Sequence, residues 1–529
     1  MFQNAFGDST WRKGLNFYLN ARSINTGTPA YLYQGIQQAV NEDVPTSPPN
    51  VATIMSSWET QSGFPYIQVT RTGTQLTFTQ NRFMYADRNS PTVWWVPINF
   101  ATQSSPDFSD TKPDLWLAGV RSGSVQGVGG VKTFAENDWV VVNIQQSAYY
   151  RVNYDSVSWA HIIRQLNLPG DEYNKIHLLN RAQLIDDSHH FARAELLRYD
   201  TLIHIMDYLE KETDYVPWYS ASRANTLLNR WLTGTSVYPF YQNFMRKNAE
   251  AIYSRFGVSL INDEPRVDRY ARTIAINIAC QAGLPACLTQ TNARVASVVF
   301  QGGFIEPDLV SSVYCNGLRT ANSTLYNSIQ FKMLQSTVQA ERNTLISALG
   351  CMQSTELLNN YLNLATIPGI ALSNAEKSRI LLSPLNYGET SIRAMITFAR
   401  INTAAVSSTG YLTNMVANIA ARVSSPIQYN EFSSLLDALT TGGFLTVAQS
   451  GTYRTNAMAI LSWQTVHLST FQEVFQGITT VAPTVAPTVA PTAAPTTSMP
   501  TTQPTTLGAG NVILSTVVLF ASIIIKFLL

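Results

Sequence analysis

The sequence predicts an α+β multidomain protein: the remnant of a helical domain, a small β-sandwich, a large solenoid-like α-helical domain and a disordered Thr/Pro stalk. Three observations predict it. Apolar residues alternate at period two through residues 64–150. They then recur at helical spacing through residue 475. Beyond that point Val-Ala-Pro-Thr repeats place proline at every fourth residue, which forbids helix and leaves nothing to bury.

Residues 1–62 read as the end of a helical domain. Phe2, Phe6, Trp11, Leu15, Tyr18 and Leu19 fall near helical spacing, and Gly7-Asp8-Ser9-Thr10 supplies a turn with capping groups. MFQNAFGDSTWRKG has no apolar leader, although the far end carries secretory features, so more chain is expected upstream. Residues 63–149 read as the β domain. Runs at 66–71, 75–83, 93–101 and 115–118 are separated by Gly, Pro, Asn and Asp. Their aromatic residues are expected in its core. The seam to the next domain is Asp138 to Asp155, DWVVVNIQQSAYYRVNYD. Trp139-Val140-Val141-Val142 and the alternating residues 149–154 read as two strands of a hairpin looped at 143–148.

Residues 150–475 read as helices in series. Leu202, Ile205, Met206 and Leu209 form one apolar stripe, and Ala221, Ala224, Leu228 and Trp231 another. No fixed period is visible, so an irregular stack of helix pairs is expected. Residues 476–507 read as an O-glycosylated stalk, able to span about 80 Å at roughly 3 Å per residue. Residues 508–529 begin with Gly508-Ala509-Gly510 and end in an apolar run. Small residues, a spacer and a hydrophobic end fit a glycolipid-anchor signal, with Gly508 and Gly510 as candidate attachment points. A single transmembrane helix is the alternative, but its positive flank is missing. Either places the protein at the cell surface.

Composition and motifs narrow the chemistry. Lys+Arg 35 nearly cancels Asp+Glu 34, with no basic cluster, which argues against a nucleic-acid partner. Cys280, Cys287, Cys315 and Cys351 allow three pairings. Cys280 and Cys287 flank the turn-forming Gly283-Leu284-Pro285, while Cys315 and Cys351 are far enough apart to staple two helices. A surface-anchored protein favours disulfides over thiols. Asn322-Ser323-Thr324 is an N-glycosylation sequon. No catalytic or metal residue is identified. The histidines are His161, His177, His189, His190, His204 and His467, and none forms the His-Glu-x-x-His pattern that puts two imidazoles on one helical face. His189-His190 read as a loop or helix-start pair. Glu42-Asp43, Asp186-Asp187 and Asp263-Glu264 read as solvated or helix-capping. Gly-x-Ser-x-Gly is absent, and Gly127 to Gly130 reads as a flexible loop.

Several motifs carry a resemblance. Tyr149-Tyr150-Arg151-Val152-Asn153-Tyr154-Asp155 after a Trp-bearing strand resembles the aminopeptidase N family of zinc exopeptidases. So do Asn180-Arg181-Ala182-Gln183-Leu184-Ile185-Asp186-Asp187, Tyr215-Val216-Pro217-Trp218, Gln80-Asn81-Arg82-Phe83 and Trp94-Trp95-Val96-Pro97-Ile98. MFQNAFGDSTWRKGLNFYLNAR is similar to the last helices of that family's catalytic domain, and SWETQSGFPY at 57–66 to the exit from it. The resemblance spans most of residues 1–475 and implies the C-terminal half of such an enzyme. It implies the pairs Cys280–Cys287 and Cys315–Cys351. It also implies a helical cap that closes over the active site and limits which peptides enter, with basic residues facing the substrate's far end. The stalk and tail resemble glycolipid-anchored insect-gut forms.

The family's reaction is attack of zinc-activated water on the first peptide bond, releasing neutral N-terminal residues. The residues that hold zinc in that family have no counterpart here. Zinc is therefore expected in the full-length enzyme and not in this chain, which alone is expected to be inactive. The implied partners are peptide substrates and, through the lipid anchor, the plasma membrane. The alternative function is a non-catalytic surface receptor, such as a docking site for bacterial crystal toxins.

Overall fold

A computed structural model describes residues 1–86, 89–386 and 388–476. Most of them are helical, and they fold as two compact units, 1–224 and 225–476. The stalk, Gly508, Gly510 and the apolar tail lie outside the described residues. Among the described residues no helix is long and apolar enough to cross a membrane.

The first unit opens with α1 (Phe2–Phe6), α2 (Asp8–Ala21), α3 (Pro29–Asp43) and α4 (Val51–Glu59). Pro29 sits in the first turn of α3, where its missing N–H costs nothing. Asn50 caps α4 by accepting the Thr53 N–H at 2.8 Å. Ile36, Val40, Val51 and Met55 form the core here, with Phe2, Phe6, Trp11 and Leu15 leaning on it. α2 and α3 cross in backbone contact. A Cβ on Gly14 would stand 2.7 Å from Ile36 Cα, and one on Gly35 would stand 2.8 Å from the Gly14 carbonyl oxygen. Only glycine permits that approach.

Eight strands follow: β1 (Pro65–Thr72), β2 (Gln75–Arg82), β3 (Trp95–Ile98), β4 (Phe100–Thr102), β5 (Leu115–Ala118), β6 (Ser122–Gln126), β7 (Val140–Val142) and β8 (Arg151–Tyr154). Four make one sheet in the order β6-β2-β1-β8, and β3/β5 and β4/β7 are two-stranded ladders. Alternation on β2 buries Leu76, Phe78 and Gln80. Gln80 is tolerated there because it donates to the Trp94 and Val120 carbonyls and accepts the Trp94 N–H. The run at 93–101 is two strands, split at Asn99. Buried Asn99 turns its side chain to the Thr111 carbonyl, the Ser147 hydroxyl and the Ile144 N–H. β6 carries a single buried apolar residue, Val125, so alternation gave no sign of it.

The hairpin expected at 139–154 does not form. β7 pairs antiparallel with β4, and β8 lies parallel to β1, with Tyr66 opposite Arg151. The cause is the connection. Asn143, Gln145 and Gln146 all take positive φ, at 67°, 53° and 53°. The Asn143 side chain clamps this shape by bonding the Ala148 N–H and the Ala148 and Tyr150 carbonyls. The unit continues with α5 (Ser156–Asn167), capped by Asp155, then α6 (Leu178–Arg193) and α7 (Tyr199–Met206). The stripe Leu202, Ile205, Met206 and Leu209 is fully buried. α8 (Tyr215–Leu232) runs across the boundary between the units.

The second unit is helical. In order come α9 (Tyr238–Phe256), α10 (Arg266–Gln281), α11 (Pro285–Phe300), α12 (Val310–Leu318), α13 (Ser323–Gln335) and α14 (Gln339–Leu349). Then follow α15 (Thr355–Asn363), α16 (Asn374–Leu382), α17 (Glu389–Ile401), α18 (Thr403–Ser408), α19 (Leu412–Ala420), α20 (Pro426–Thr441) and α21 (Val447–Gln476). Neighbours in sequence pack together, as α9 with α10 and α11 with α12, while α21 packs on both α19 and α20. Disulfide Cys280–Cys287 joins the end of α10 to the start of α11. Cys315–Cys351 ties α12 to the turn after α14. Of Asp263-Glu264, Asp263 is exposed as expected, while the Glu264 carboxylate is buried against the guanidinium of Arg272. The remaining buried polar group of note is Gln464 on α21, which donates to the Trp231 and Ser424 carbonyls.

Candidate functional site

Among the described residues, two places bear on function. The first is the contact between α6 and the seam. Asn180, Gln183 and Asp187 stand at i, i+3 and i+7, on one helical face. That face grips residues 143–152. Asn180 donates to the Asn143 carbonyl at 2.9 Å and accepts the Gln145 N–H at 2.8 Å. Gln183 accepts from Asn180 and donates to Asp187. Asp187 accepts the Val152 N–H at 2.9 Å and Arg151 Nη1 at 2.8 Å. The same Nη1 lies 2.6 Å from Asp186. Arg181, between these residues, turns to Glu212 at 2.8 Å in a pair that is almost wholly buried.

Burial sets the proton balance of this cluster. It pushes Asp187 up to about 7 against the pull of Arg151, and the charge of Asp186 adds to the rise. At Asp186 burial also opposes ionisation, but His190 and Arg151 hold the carboxyl well below the usual carboxylate range. His189 is held down to about 3, chiefly by burial, and its Nδ1 is buried without a hydrogen-bond partner. Burial also lowers His190, against the pull of Asp186, and the Tyr85 hydroxyl bonds its Nδ1. Both imidazoles are therefore neutral at pH 7. Asp186-Asp187 are not solvated, and His189-His190 lie inside α6 near its C-terminal end, not in a loop or at a helix start. The reason is shared: α6 is covered on several sides, so polar residues inside it are buried and must find partners.

These residues do not fit zinc. Among the described residues no group of three or more His, Cys, Asp or Glu is placed to hold a metal ion. Asp186, Asp187 and His190 come nearest in donor type. A guanidinium occupies the position a cation would take, and Tyr85 engages the imidazole.

The second place is a cleft of about 370 Å³ within the second unit, lined by Thr226, Asn229, Arg230, Gln281, Arg422 and Ser424 among others. Arg422 donates to the Asn418 carbonyl and side chain at 3.0 and 3.2 Å, and burial holds its pKa below the ordinary arginine value. Tyr238 donates to the Asn229 side chain at 2.9 Å and fixes it. Two guanidinium groups among amides and hydroxyls suit a small anion, above all a carboxylate, which arginine can meet in bidentate fashion. No residue of this cleft was singled out from the sequence. Arg230 and Arg422 come from distant helix ends, and no spacing rule joins them.

The ERAP1-like C-terminal domain family matches residues 139–451, a span that opens on Trp139, just ahead of the segment gripped by α6. The chain belongs to the aminopeptidase N family and corresponds to its C-terminal half. Aminopeptidase N of Plutella xylostella is 28% identical over 486 residues, covering 89% of this chain and 50% of that protein. Aminopeptidase N of Bos taurus is 29% identical over 390 residues, 70% of this chain and 38% of that protein. The membrane alanyl aminopeptidase of Manduca sexta is 28% identical over 374 residues, 69% of this chain and 37% of that protein. The chain thus spans half or less of the length of these curated relatives.

Proposed function

We propose that this chain is the C-terminal half of a zinc aminopeptidase that removes neutral N-terminal residues from peptides at the outer face of the plasma membrane. The family match across residues 139–451 carries the reading. Within it, residues 1–62 close the catalytic domain, 63–149 form a β-sandwich, and 150–475 form a solenoid-like cap. Residues 476–507 are the stalk, and 508–529 are the glycolipid signal, attached at Gly508 or Gly510. Zinc and the attacking water belong to the catalytic half, so this chain alone does not hydrolyse peptides. The cap's part is admission, and the Arg230/Arg422 cleft receives the carboxylate at a peptide's far end.

Two measurements test this. Assayed alone with an N-terminal leucine chromogenic substrate, the chain gives no zinc-dependent hydrolysis; turnover by this chain overturns the division of labour. Arg230→Ala or Arg422→Ala weakens binding of a peptide with a free C-terminus about tenfold and leaves its C-terminal amide unchanged. Equal loss for both peptides removes the carboxylate from the proposal. The receptor alternative, with bacterial crystal toxins as ligands, rests on the insect resemblance alone.

A further inference from the structure

Asn322 opens the only Asn-x-Ser/Thr sequence in the chain. It stands at the N-cap of α13 with extended backbone, φ −82° and ψ 172°. Its Oδ1 accepts the Leu325 N–H at 2.9 Å, satisfying one of the donors that a helix start leaves open. Asn322, Ser323 and Thr324 are all exposed. The corner is held from both sides. The Gln353 N–H donates to the Arg319 carbonyl at 3.1 Å, and Cys315–Cys351 fixes α12 to the turn after α14.

We infer that Asn322 serves two ends at once: Oδ1 caps α13 while Nδ2 carries an N-linked oligosaccharide. The uses fall on different atoms and do not compete. Nδ2 loses one proton and bonds C1 of the first sugar. The bond from C1 to a lipid diphosphate breaks, and the diphosphate leaves with the electron pair. The product is a secondary amide that keeps the Oδ1 acceptor and one N–H. The disulfides of this unit belong to an oxidising compartment, the side of the membrane on which such sequons are used. The sugar therefore stands on a fixed corner, inside the loop closed by Cys315 and Cys351. This inference does not depend on the peptidase reading.

The test expresses the full chain through a eukaryotic secretory pathway. The product is treated with an amidase that hydrolyses the Asn–glycan bond and leaves aspartate. One discrete mobility step is expected in the wild-type chain, and none in Asn322→Asp or Thr324→Ala. O-linked sugars on the stalk resist this amidase and do not contribute. Melting separates cap from sugar. Asn322→Asp and the amidase-treated protein both keep a capping oxygen and melt together. Asn322→Gln, too long to cap, melts ~2–4 °C lower. A wild-type chain without the step, or a step that persists in Thr324→Ala, overturns the glycan. Asn322→Gln melting with Asn322→Asp overturns the cap.

Discussion

Arg151 in the first unit and Arg422 in the second are both largely buried guanidinium groups, and their surroundings treat them in opposite ways. At Arg151 burial disfavours the charge, yet Asp187 and Asp186 outweigh it and raise the pKa. At Arg422 burial lowers the pKa, and two of its hydrogen bonds run to the neutral Asn418. A guanidinium held by carboxylates of its own chain is a clasp. One that lines a polar cleft holds its charge among amides and hydroxyls. The units also differ in how they fix distant segments. The first uses polar side chains such as Asn143, Asn180 and Asp187. The second adds two disulfides to polar ties such as Gln464.

The largest expected effect breaks the clasp. Arg151→Met leaves Asp186 and Asp187 buried without their cation and destabilises the first unit by about 3–5 kcal/mol. Urea unfolding followed by tryptophan fluorescence measures it. Arg422→Met removes two bonds to the neutral Asn418 and costs less, about 1–2 kcal/mol. Equal losses at the two positions would erase the contrast. Next in size are the disulfides. Chain-entropy reasoning gives ~3.8 kcal/mol for Cys315–Cys351 and ~2.4 kcal/mol for Cys280–Cys287, because they close loops of 36 and 7 residues. Paired Cys→Ser variants compared in guanidinium melts check the order. If the short loop costs as much as the long one, native contacts and not chain entropy set the value.

The elements were legible in sequence to the extent that one rule governed them. Helices with one apolar face, such as the one bearing Ala221, Ala224, Leu228 and Trp231, follow from period alone, whereas the helix bearing Leu202, Ile205 and Met206 is buried nearly all round. β1 and β2 also follow from period, since their alternation sets which residues are buried. Pairing was not legible. The runs on either side of residues 143–148 look like a hairpin, and the positive φ of Asn143, Gln145 and Gln146 sends β8 to β1 instead. Asn180, Gln183 and Asp187 have a spacing that marks one face, but nothing in that spacing says the face grips backbone. The acidic pair looked solvated because its partner, Arg151, stands thirty-five residues away. The cleft was invisible for the same reason: its two arginines meet only in the fold.

The smallest effect is a slope. His189 sits in α6 beside His190, Arg193, Asp186 and Arg151 and is held to about 3, mainly by burial. A histidine whose folded pKa lies below its unfolded value of about 6.5 stabilises the fold while it is neutral. That stability is present above about 6.5 and is lost as pH falls from there toward 3, at about 1.4 kcal/mol per unit. Asp187 has the opposite sign. Its folded pKa of about 7 lies above its unfolded value, so its contribution grows as pH falls from 7 toward about 4. The two nearly cancel in the wild-type chain. His189→Gln removes one side of the balance. Relative to wild type, the variant should gain about 1 kcal/mol between pH 6.5 and 5.5, whatever the substitution costs at neutral pH. Urea midpoints at the two pH values give the difference directly. Parallel wild-type and variant profiles would mean that His189 titrates alike in the folded and unfolded chain and that water, not burial, governs the far end of α6.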